Sequence, residues 1–384
     1  MTNTTELKTP ENPNRLLSLD ALRGFDMFWI TGGEELFHVL AKTTGWAWAV
    51  FMADQFTHPE WNGFRIYDLI FPLFLFMAGV STPFSLGSRL EKGDDKTKLL
   101  RKVVQRGLIL VLLGIIFNNG IFHTPSAQMR YPSVLGRIGL AGMFAQIIYL
   151  YSSKRTNQRL VWWFGGILVF YWLLLLLVPV PNCGAGVLTM DCNLSSWIDR
   201  TILPGRLHRV IHDPEGLLST LPAVATALLG IMAGNILRHP GRQDGRTTSP
   251  RQKIRQLVTA AVCLLVIGQV WGLVLPINKN LWTSSFACWV GGLSLLLLTL
   301  FYWIIDVQKY QRWTLFFVVI GTNSILIYLA QHVINYEYSV EALFGGIIST
   351  LPKITQAFAG VVAYIGVQWA LFYVLYRNKI FLKV

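Results

Sequence analysis

His58 is the residue best placed for chemistry in this chain of 384 residues. It lies in the polar stretch 55–68 with Asn62 and Asp68, just before a long apolar segment. An imidazole titrates near neutral pH and can act as a base or a nucleophile. An acidic group at the edge of an apolar segment needs a partner, so Asp68 could orient the ring or hold a cation. We therefore predict that His58, Asp68 and Asn62 form a catalytic group at a membrane surface.

Each of these residues also has a simpler structural interpretation. His58 could be an interfacial residue that only precedes the helix, and Asp68 could be a first-turn acid favoured by the helix dipole. Trp61 and Asn62 could form an interfacial anchor and a turn. Their positions alone therefore do not separate the catalytic interpretation from the structural one.

Further polar side chains recur near the ends of apolar segments. Acids, bases and amides alternate among them. This mixture suits a ligand with hydroxyl groups and an amine, because hydroxyls need donors and acceptors and an ammonium needs carboxylates. Asn323 and Ser324 instead lie within an apolar segment, where they could join helices or line a pore. The residues that we predict to bind substrate are Glu34, Glu35, Trp61, Asp213, Glu215, Asn278, Lys279, Asn280, Trp282 and His332.

The elements that position these residues are apolar segments long enough to cross a membrane. The chain is 53% hydrophobic and 14% charged, whereas a soluble protein carries about 25% charged residues. We predict an all-α polytopic membrane protein, a single bundle of about ten spans of roughly 20 residues each. Residues 15–384 form this one domain, and residues 1–14 form a disordered cytoplasmic terminus. The predicted spans are residues 17–40, 66–87, 107–120, 133–151, 160–178, 216–237, 256–275, 284–305, 314–334 and 354–376.

The basic residues predict the orientation of this bundle. Placing both termini in the cytoplasm puts most of the 33 Lys and Arg residues on that side, as the positive-inside rule requires. His58 then lies outside, and the polar segments 182–213, 278–280 and 336–351 share its compartment. The net charge of +13 thus marks topology rather than a nucleic-acid partner. The main basic stretches are residues 89–106, 154–159, 238–255 and 377–383. The first of them could also be a landing site for a phosphorylated donor that enters from the cytosol.

The four cysteines leave one question open. Cys183 and Cys192 fall in one external segment, where an oxidising compartment would permit a disulfide, but spacing alone does not fix the geometry. Cys263 and Cys288 are predicted to be small buried residues in helices. The Cys and His spacings match no zinc or haem motif, so no metal is expected.

Short sequence blocks, taken in order, resemble a known family. They occur at residues 15–24, 58, 61–63, 68–72, 132–137, 213–216, 278–282 and 321–325. In this order they resemble the heparan-alpha-glucosaminide N-acetyltransferase family of transmembrane acetyltransferases. The resemblance implies that an acetyl group passes from cytosolic acetyl-CoA to the amine of a terminal glucosamine on the far side of the membrane.

The resemblance also implies roles for particular residues. His58 matches the family's essential histidine, expected either to carry the acetyl group or to deprotonate the amine, and Asp68 and Asn62 match polar positions that follow it. The chain lacks the long luminal extension of the lysosomal members, so we expect a bacterial inner-membrane member that acts on free glucosamine or a cell-wall fragment. The residues expected to bind the co-substrate acetyl-CoA are Arg23, Arg137, Asn323 and Ser324.

Two other functional classes stay open at this point. In an amino-sugar transporter, His58 and Asp68 would relay protons. In an O-acyltransferase, the acceptor would be a hydroxyl of a surface glycan. Partners expected in addition to the amino sugar are membrane lipid and, through the aromatic segment 161–172, a second copy of the chain.

Overall fold

The regular elements in the described part of the chain are all helices. The computed structural model describes residues 16–120, 125, 128–152, 157–238 and 248–382, so the predicted disordered segment 1–14 lies outside the described residues. Short 3-10 or π-helical segments precede α2 and α4 and follow α4 and α12. The helices are α1 (Leu17–Phe28), α2 (Glu34–Thr44), α3 (Ala47–Gln55), α4 (Ile70–Thr82), α5 (Ser88–Glu91), α6 (Lys96–Asn119), α7 (Val134–Tyr151), α8 (Asn157–Leu177), α9 (Leu194–Ile202), α10 (Thr220–Arg238), α11 (Pro250–Gly272), α12 (Ser284–Phe301), α13 (Thr314–Thr322), α14 (Ser324–Val333), α15 (Tyr336–Ser349) and α16 (Lys353–Arg377).

Within the described ranges, seven helical segments are long and apolar enough to cross a membrane. An eighth crossing results if α13 and α14, which meet at an angle of 71°, form one bent span. These segments match every predicted span except 17–40 and 107–120. The all-α, multi-span class is therefore confirmed, whereas the count of about ten is not.

The two remaining predicted spans are helical but irregular. Residues 17–40 are broken by the π-helical segment Trp29–Gly33, in which Gly32 has a φ of 118°, a conformation that glycine adopts without steric cost. Residues 107–119 form the second half of α6, and the first half of that helix carries five Lys or Arg residues. The apolar half is shorter than the roughly 20 residues that a span requires.

The helix pair α4 and α10 forms the centre of the bundle. Their backbones approach closely because glycines face the contact: a Cβ on Gly230 would lie 2.0 Å from the Phe76 carbonyl oxygen, and one on Gly79 would lie 2.2 Å from that of Ala227. Small residues at helix contacts are typical of membrane bundles, where close packing replaces the hydrophobic effect. Asp68 lies in the 3-10 turn that begins α4, so this central pair fixes its position.

Three loops cover the end of the bundle at which α4 begins. We call residues 56–65, 178–193 and 273–283 the loop layer. The Trp61 indole N–H donates to the carbonyl oxygen of Leu188 at 2.9 Å, and the Gly63 N–H donates to that of Ile277 at 2.9 Å. Cys183 and Cys192 form a disulfide with their Cα atoms 5.6 Å apart, which answers the open question. The disulfide thus closes one loop of the layer, and hydrogen bonds join the loops to one another.

Helices α8 and α11 lie at the periphery of the bundle. Cys263 is exposed on α11, contrary to the predicted burial, because α11 presents most of its apolar surface outward; Cys288 is buried as predicted. Trp162 and Trp163 project from α8 and are more than half exposed. The aromatic surface proposed for a second copy of the chain is therefore present, and the homodimer itself stays a prediction.

Candidate active site

The ring of His58 and the carboxylate of Asp68 are in direct contact. His58 Nδ1 lies 2.7 Å from Asp68 Oδ1; the Asp68 side chain is fully buried, whereas that of His58 is 41% exposed. A carboxylate at Nδ1 accepts the proton of that nitrogen and leaves a lone pair on Nε2. The predicted pair is therefore brought together, and His58 can act at Nε2 as a base or a nucleophile.

Arg65 fixes the segment that carries His58. Its guanidinium lies 3.0 Å from Asp54 Oδ1, donates to the Thr57 hydroxyl, and donates to the His58 carbonyl oxygen at 3.3 Å. Its backbone N–H donates to Asp68 Oδ2 at 3.0 Å. One residue thus holds both members of the pair. Sequence reasoning missed it, because a lone arginine in a loop carries no signal of its contacts.

Lys279 brings an amine from the loop between α11 and α12 onto the His58 ring. Its Nζ lies 3.1 Å from Nε2 and 3.2 Å from Nδ1 of His58, and 3.4 Å from Asp68 Oδ1. Only 16% of the Lys279 side chain is exposed. Burial lowers the pKa of the Lys279 ammonium, and the charge of Asp68 acts in the opposite sense. We call His58, Arg65, Asp68 and Lys279 the His58 cluster.

Asn62 connects the loops instead of reaching the ring of His58. Its Oδ1 accepts from Asn278 Nδ2 at 3.0 Å, and the same Nδ2 donates to the carbonyl oxygen of Trp61 at 2.9 Å. The buried Asn278 also accepts from the Leu281 N–H at 2.9 Å. These amides set the position of the turn that carries Lys279, while Asn280 lies beside His212.

A second charged cluster lies close to the loop layer. Arg130 holds Asp213 through two bonds, Nε to Oδ2 at 2.8 Å and Nη2 to Oδ1 at 2.7 Å, and also donates to Glu215. Burial disfavours the charged forms of both Arg130 and Asp213. Hydrogen bonds and opposite charges nevertheless raise the pKa of Arg130, and the bonds from Arg130 lower that of Asp213. The predicted substrate residues Asp213 and Glu215 are therefore committed to an ion pair.

Arg137 lies with this charged cluster and not with the other predicted acetyl-CoA residues. Its guanidinium carbon is 5.1 Å from the centre of the buried Trp282 ring. Nη2 donates to the Gly216 carbonyl oxygen at 3.1 Å and to the Ser219 hydroxyl. Sequence order could not show this separation, because Arg137 and Trp282 are far apart along the chain.

The remaining predicted substrate residues lie at greater range from His58. Glu34 contacts the hydroxyl of Tyr67, whose ring centre is 4.9 Å from that of His58. The His332 ring contacts an aromatic ring of α6, with the ring centres 3.9 Å apart and the planes tilted by 39°, and Glu35 is exposed to solvent. Glu34 is therefore the one among these three that reaches the His58 cluster, through a single tyrosine.

A cavity of about 360 Å³ lies at the far end of α4; we call it the Arg23 cavity. Three predicted acetyl-CoA residues, Arg23, Asn323 and Ser324, line it together with Arg106. Arg23 Nη2 donates to the Ser81 hydroxyl at 2.9 Å. At 1.5 Å of rise per residue, the Ser81 and Asp68 positions are roughly 20 Å apart along the helix. Arg106 was not among the predicted acetyl-CoA residues, because the basic stretch 89–106 was interpreted first as a topology signal and only second as a landing site for a phosphorylated donor.

The cavity wall suits an anionic ligand. Two guanidinium groups face it, and arginine is favoured where phosphates are bound because its planar fork matches their oxygens. The break between α13 and α14 contributes Asn323, whose amide donates to the Ile380 carbonyl oxygen at 2.9 Å and accepts from the Leu382 N–H at 3.1 Å. Groups of three or more His, Cys, Asp and Glu able to hold a metal are absent from the part of the chain that the structure describes.

Comparison with known proteins agrees with the ordered sequence blocks. The family model for heparan-alpha-glucosaminide N-acetyltransferase, catalytic, matches residues 15–269. The chain is 27% identical over 426 residues to the heparan-alpha-glucosaminide N-acetyltransferase of Homo sapiens, covering 97% of this chain and 60% of that protein. The protein of the same name from Mus musculus is 28% identical over 382 residues, covering 86% of this chain and 56% of that protein.

The chain thus spans less than two thirds of the length of these curated relatives. The matched region contains His58, Arg65, Asp68, Arg130 and Arg137, and the human alignment extends over nearly the whole chain. The family predicted from the sequence blocks is confirmed: this chain belongs to the heparan-alpha-glucosaminide N-acetyltransferase family.

Proposed function

We propose that this chain is a transmembrane N-acetyltransferase. It transfers the acetyl group of cytosolic acetyl-CoA to the amine of glucosamine, or of a glucosamine-containing glycan, on the extracytoplasmic side. One observation carries the proposal: a His–Asp pair, in which Nε2 does not face the carboxylate, lies at one end of α4, and a cavity with two arginines lies at the other end. Family membership supports the same reaction class.

Acetyl-CoA is the proposed donor in the Arg23 cavity. Arg23 and Arg106 provide charge-assisted hydrogen bonds for its phosphates, and Asn323 and Ser324 provide amide and hydroxyl groups at the same wall. The thioester end is directed along α4 toward His58. Only the acetyl group then has to change sides of the membrane, and the large polyanionic nucleotide stays where it entered.

Two routes fit the geometry of the His58 cluster. In the direct route, Nε2 of His58 takes a proton from the acceptor amine while the amine nitrogen attacks the thioester carbonyl, and the coenzyme A thiolate leaves. In the two-step route, Nε2 attacks the carbonyl first and passes the acetyl group to the amine afterwards. Asp68 holds the proton on Nδ1 in both. Fast-quench trapping of acetyl-histidine with donor alone would support the second route.

The acceptor pocket is proposed to lie between the His58 cluster and Glu34. A neutral amine is needed for attack, so a base at Nε2 is useful. Glu34 is separated from His58 only by Tyr67, and its carboxylate suits an amino sugar that binds with its amine protonated. The mixed acids and amides of the loop layer suit sugar hydroxyls, which both donate and accept hydrogen bonds.

The sidedness is supported by features at the two ends of the bundle. The Cys183–Cys192 disulfide lies in the loop layer beside His58, and disulfides persist in oxidising compartments such as the periplasm. Lys and Arg residues cluster between α5 and the first half of α6, as is typical of cytoplasmic segments. The proposed location is the inner membrane of a bacterium, with the loop layer in the periplasm.

Reconstitution tests the proposal directly. In proteoliposomes with the two faces separately accessible, we expect N-acetylglucosamine to form when acetyl-CoA is supplied on one side and glucosamine on the other. Uptake of labelled glucosamine without acetyl-CoA would instead indicate the transporter class. Acetyl esters on a glycan, with glucosamine untouched, would indicate O-acylation. A membrane-impermeant thiol reagent should label a Cys at position 58 from the face opposite to that for a Cys at position 96.

A further inference from the structure

Lys279 places a primary amine where the acceptor amine has to react. Its Nζ is 3.1 Å from Nε2 and 3.2 Å from Nδ1 of His58, and Nε2 is the ring nitrogen that does not face Asp68. The glucosamine nitrogen must come to the same place for either proposed route. Lys279 is therefore a resident substitute for the acceptor, supplied by the turn that Asn278 fixes.

We propose that Lys279 is a second acetyl acceptor of this site. When no amino sugar is bound, the acetyl group passes to Lys279 Nζ, and the resulting N-acetyl-lysine inactivates the enzyme. The inference rests on the proposed acetyl transfer and adds a covalent modification site to it. Acetyl-CoA is the acetyl source.

The chemistry balances in both routes. In the direct route, the N–C bond to Nζ forms as the C–S bond of the thioester breaks; the coenzyme A thiolate leaves, and Nε2 of His58 takes the proton from Nζ. In the two-step route, Nε2 first attacks the thioester carbonyl and the coenzyme A thiolate leaves. Nζ then attacks the acetyl carbon, the imidazole–carbon bond breaks, and the freed Nε2 takes the proton lost by Nζ. The product is an ordinary amide, which does not transfer its acetyl group onward.

The contacts of Lys279 keep the modification slow. An ammonium is not a nucleophile, and Asp68 Oδ1 at 3.4 Å favours the charged form of Lys279. Burial favours the neutral form of Lys279. The charge of Glu215 favours its ammonium form, and the charge of Arg137 disfavours it. The His58 ring, 3.2 Å from Nζ at its Nδ1 atom, is a further titratable group in contact with Lys279. Because acetylation needs the neutral amine, the rate of modification should rise with pH.

Acetylation would block the site by charge and by volume. It removes the cation that faces Asp68, which leaves this fully buried carboxylate with one charged partner fewer. It also places an acetyl group against Nε2 of His58, where it fills the space that the acceptor amine must enter. A donor-rich, acceptor-poor membrane would therefore accumulate inactive enzyme.

The test is peptide mass spectrometry of the intact protein after incubation with isotopically labelled acetyl-CoA and no amino sugar. We expect Lys279 to carry at least about tenfold more label than the exposed Lys42 and Lys353, because proximity raises its effective concentration at the reacting centre. Glucosamine should suppress the label, and His58→Ala should reduce it to the level of the two control lysines. Lys279→Arg should remove the label. Its rate of glucosamine acetylation, expressed as a fraction of its own initial rate, should also fall more slowly with time than that of the unsubstituted enzyme.

The outcomes distinguish this inference from the proposed function. Turnover of glucosamine with Lys279 labelled no more than Lys42 and Lys353 overturns the inference and leaves the transferase intact. Label at Lys279 without acetylation of any amino sugar supports the inference and overturns the acceptor assignment. Absence of both label and turnover overturns both.

Discussion

The two ends of α4 carry sites of opposite construction. At the Asp68 end, the polar groups of the His58 cluster contact one another at 2.7–3.4 Å and are held by loops far apart in sequence. At the Ser81 end, Arg23, Arg106 and Asn323 surround about 360 Å³ of space, with glycine and hydroxyl groups in the wall. One end is filled with mutual contacts, and the other is kept open.

This difference supports the proposed assignment of catalysis to the Asp68 end and of donor binding to the Ser81 end. Chemistry requires reacting groups held in a fixed geometry, because a displacement of about 1 Å can cost about 100-fold in rate. Donor binding requires room and cations. Substitutions at the His58 cluster should therefore lower kcat, and substitutions at the Arg23 cavity should raise the KM for acetyl-CoA.

The largest expected effect is that of His58→Ala. Loss of the base or nucleophile should lower kcat by about 10³-fold or more, whereas the Kd for acetyl-CoA should stay within about twofold because the Arg23 cavity is untouched. Formation of N-acetylglucosamine and calorimetric binding of donor measure the two quantities. His38→Ala on α2 is the matched control and should keep most activity. Full activity of His58→Ala would remove His58 from the mechanism.

The second effect is that of Arg106→Gln in the Arg23 cavity. Loss of a charge-assisted hydrogen bond costs about 1.5–3 kcal/mol, so the KM for acetyl-CoA should rise by about tenfold to a hundredfold, with a smaller change in kcat. The exposed Arg89→Gln at the same end of the bundle is the control for general charge effects. A fall in kcat at unchanged KM would contradict the assignment of this cavity to the donor.

The third effect is that of Arg65→Lys in the His58 cluster. A single ammonium cannot reproduce the guanidinium fork that reaches Asp54, Thr57 and the His58 carbonyl oxygen. We expect kcat to fall about tenfold with the KM for acetyl-CoA unchanged. Arg200→Lys breaks a comparable fork, to the Ile211 and Asp191 carbonyl oxygens, and should leave kcat near its original value. Equal losses in both variants would indicate general loosening of the loops.

The smallest effect is that of Asp199→Asn in α9. The Asp199 carboxylate is buried beside the second charged cluster and accepts from the Leu217 N–H at 2.8 Å. Burial raises the pKa of Asp199 to about 6, against the Leu217 N–H and the charge of Arg137, which lower it. Between the unfolded value of about 3.9 and the folded one, only the native state binds this proton, so stability falls as pH rises through that window. Asp199→Asn should flatten the dependence of Tm on pH in that range by a few degrees, with kcat unchanged. An unaltered Tm profile would contradict the buried-acid interpretation.

The sequence predicted the parts of this architecture that depend on local pattern. Apolar length identified most spans, and the His58–Asp68 pair was predictable because both residues flank the start of one helix. Lys279 was expected among the substrate residues, but its contact with the imidazole depends on a turn more than 200 residues away. No local signal reports such a contact. The same holds for Arg137, which contacts the Trp282 ring and does not lie with the predicted donor residues.

The bent span α13–α14 has a practical consequence for anyone handling this protein. The amide of Asn323 at the break is held by the backbone of Ile380 and Leu382, and Leu382 itself lines the Arg23 cavity. A purification tag or fluorescent reporter fused after Leu382 would lie beside the wall of the proposed donor site. The KM for acetyl-CoA should therefore be measured after such a tag has been cleaved.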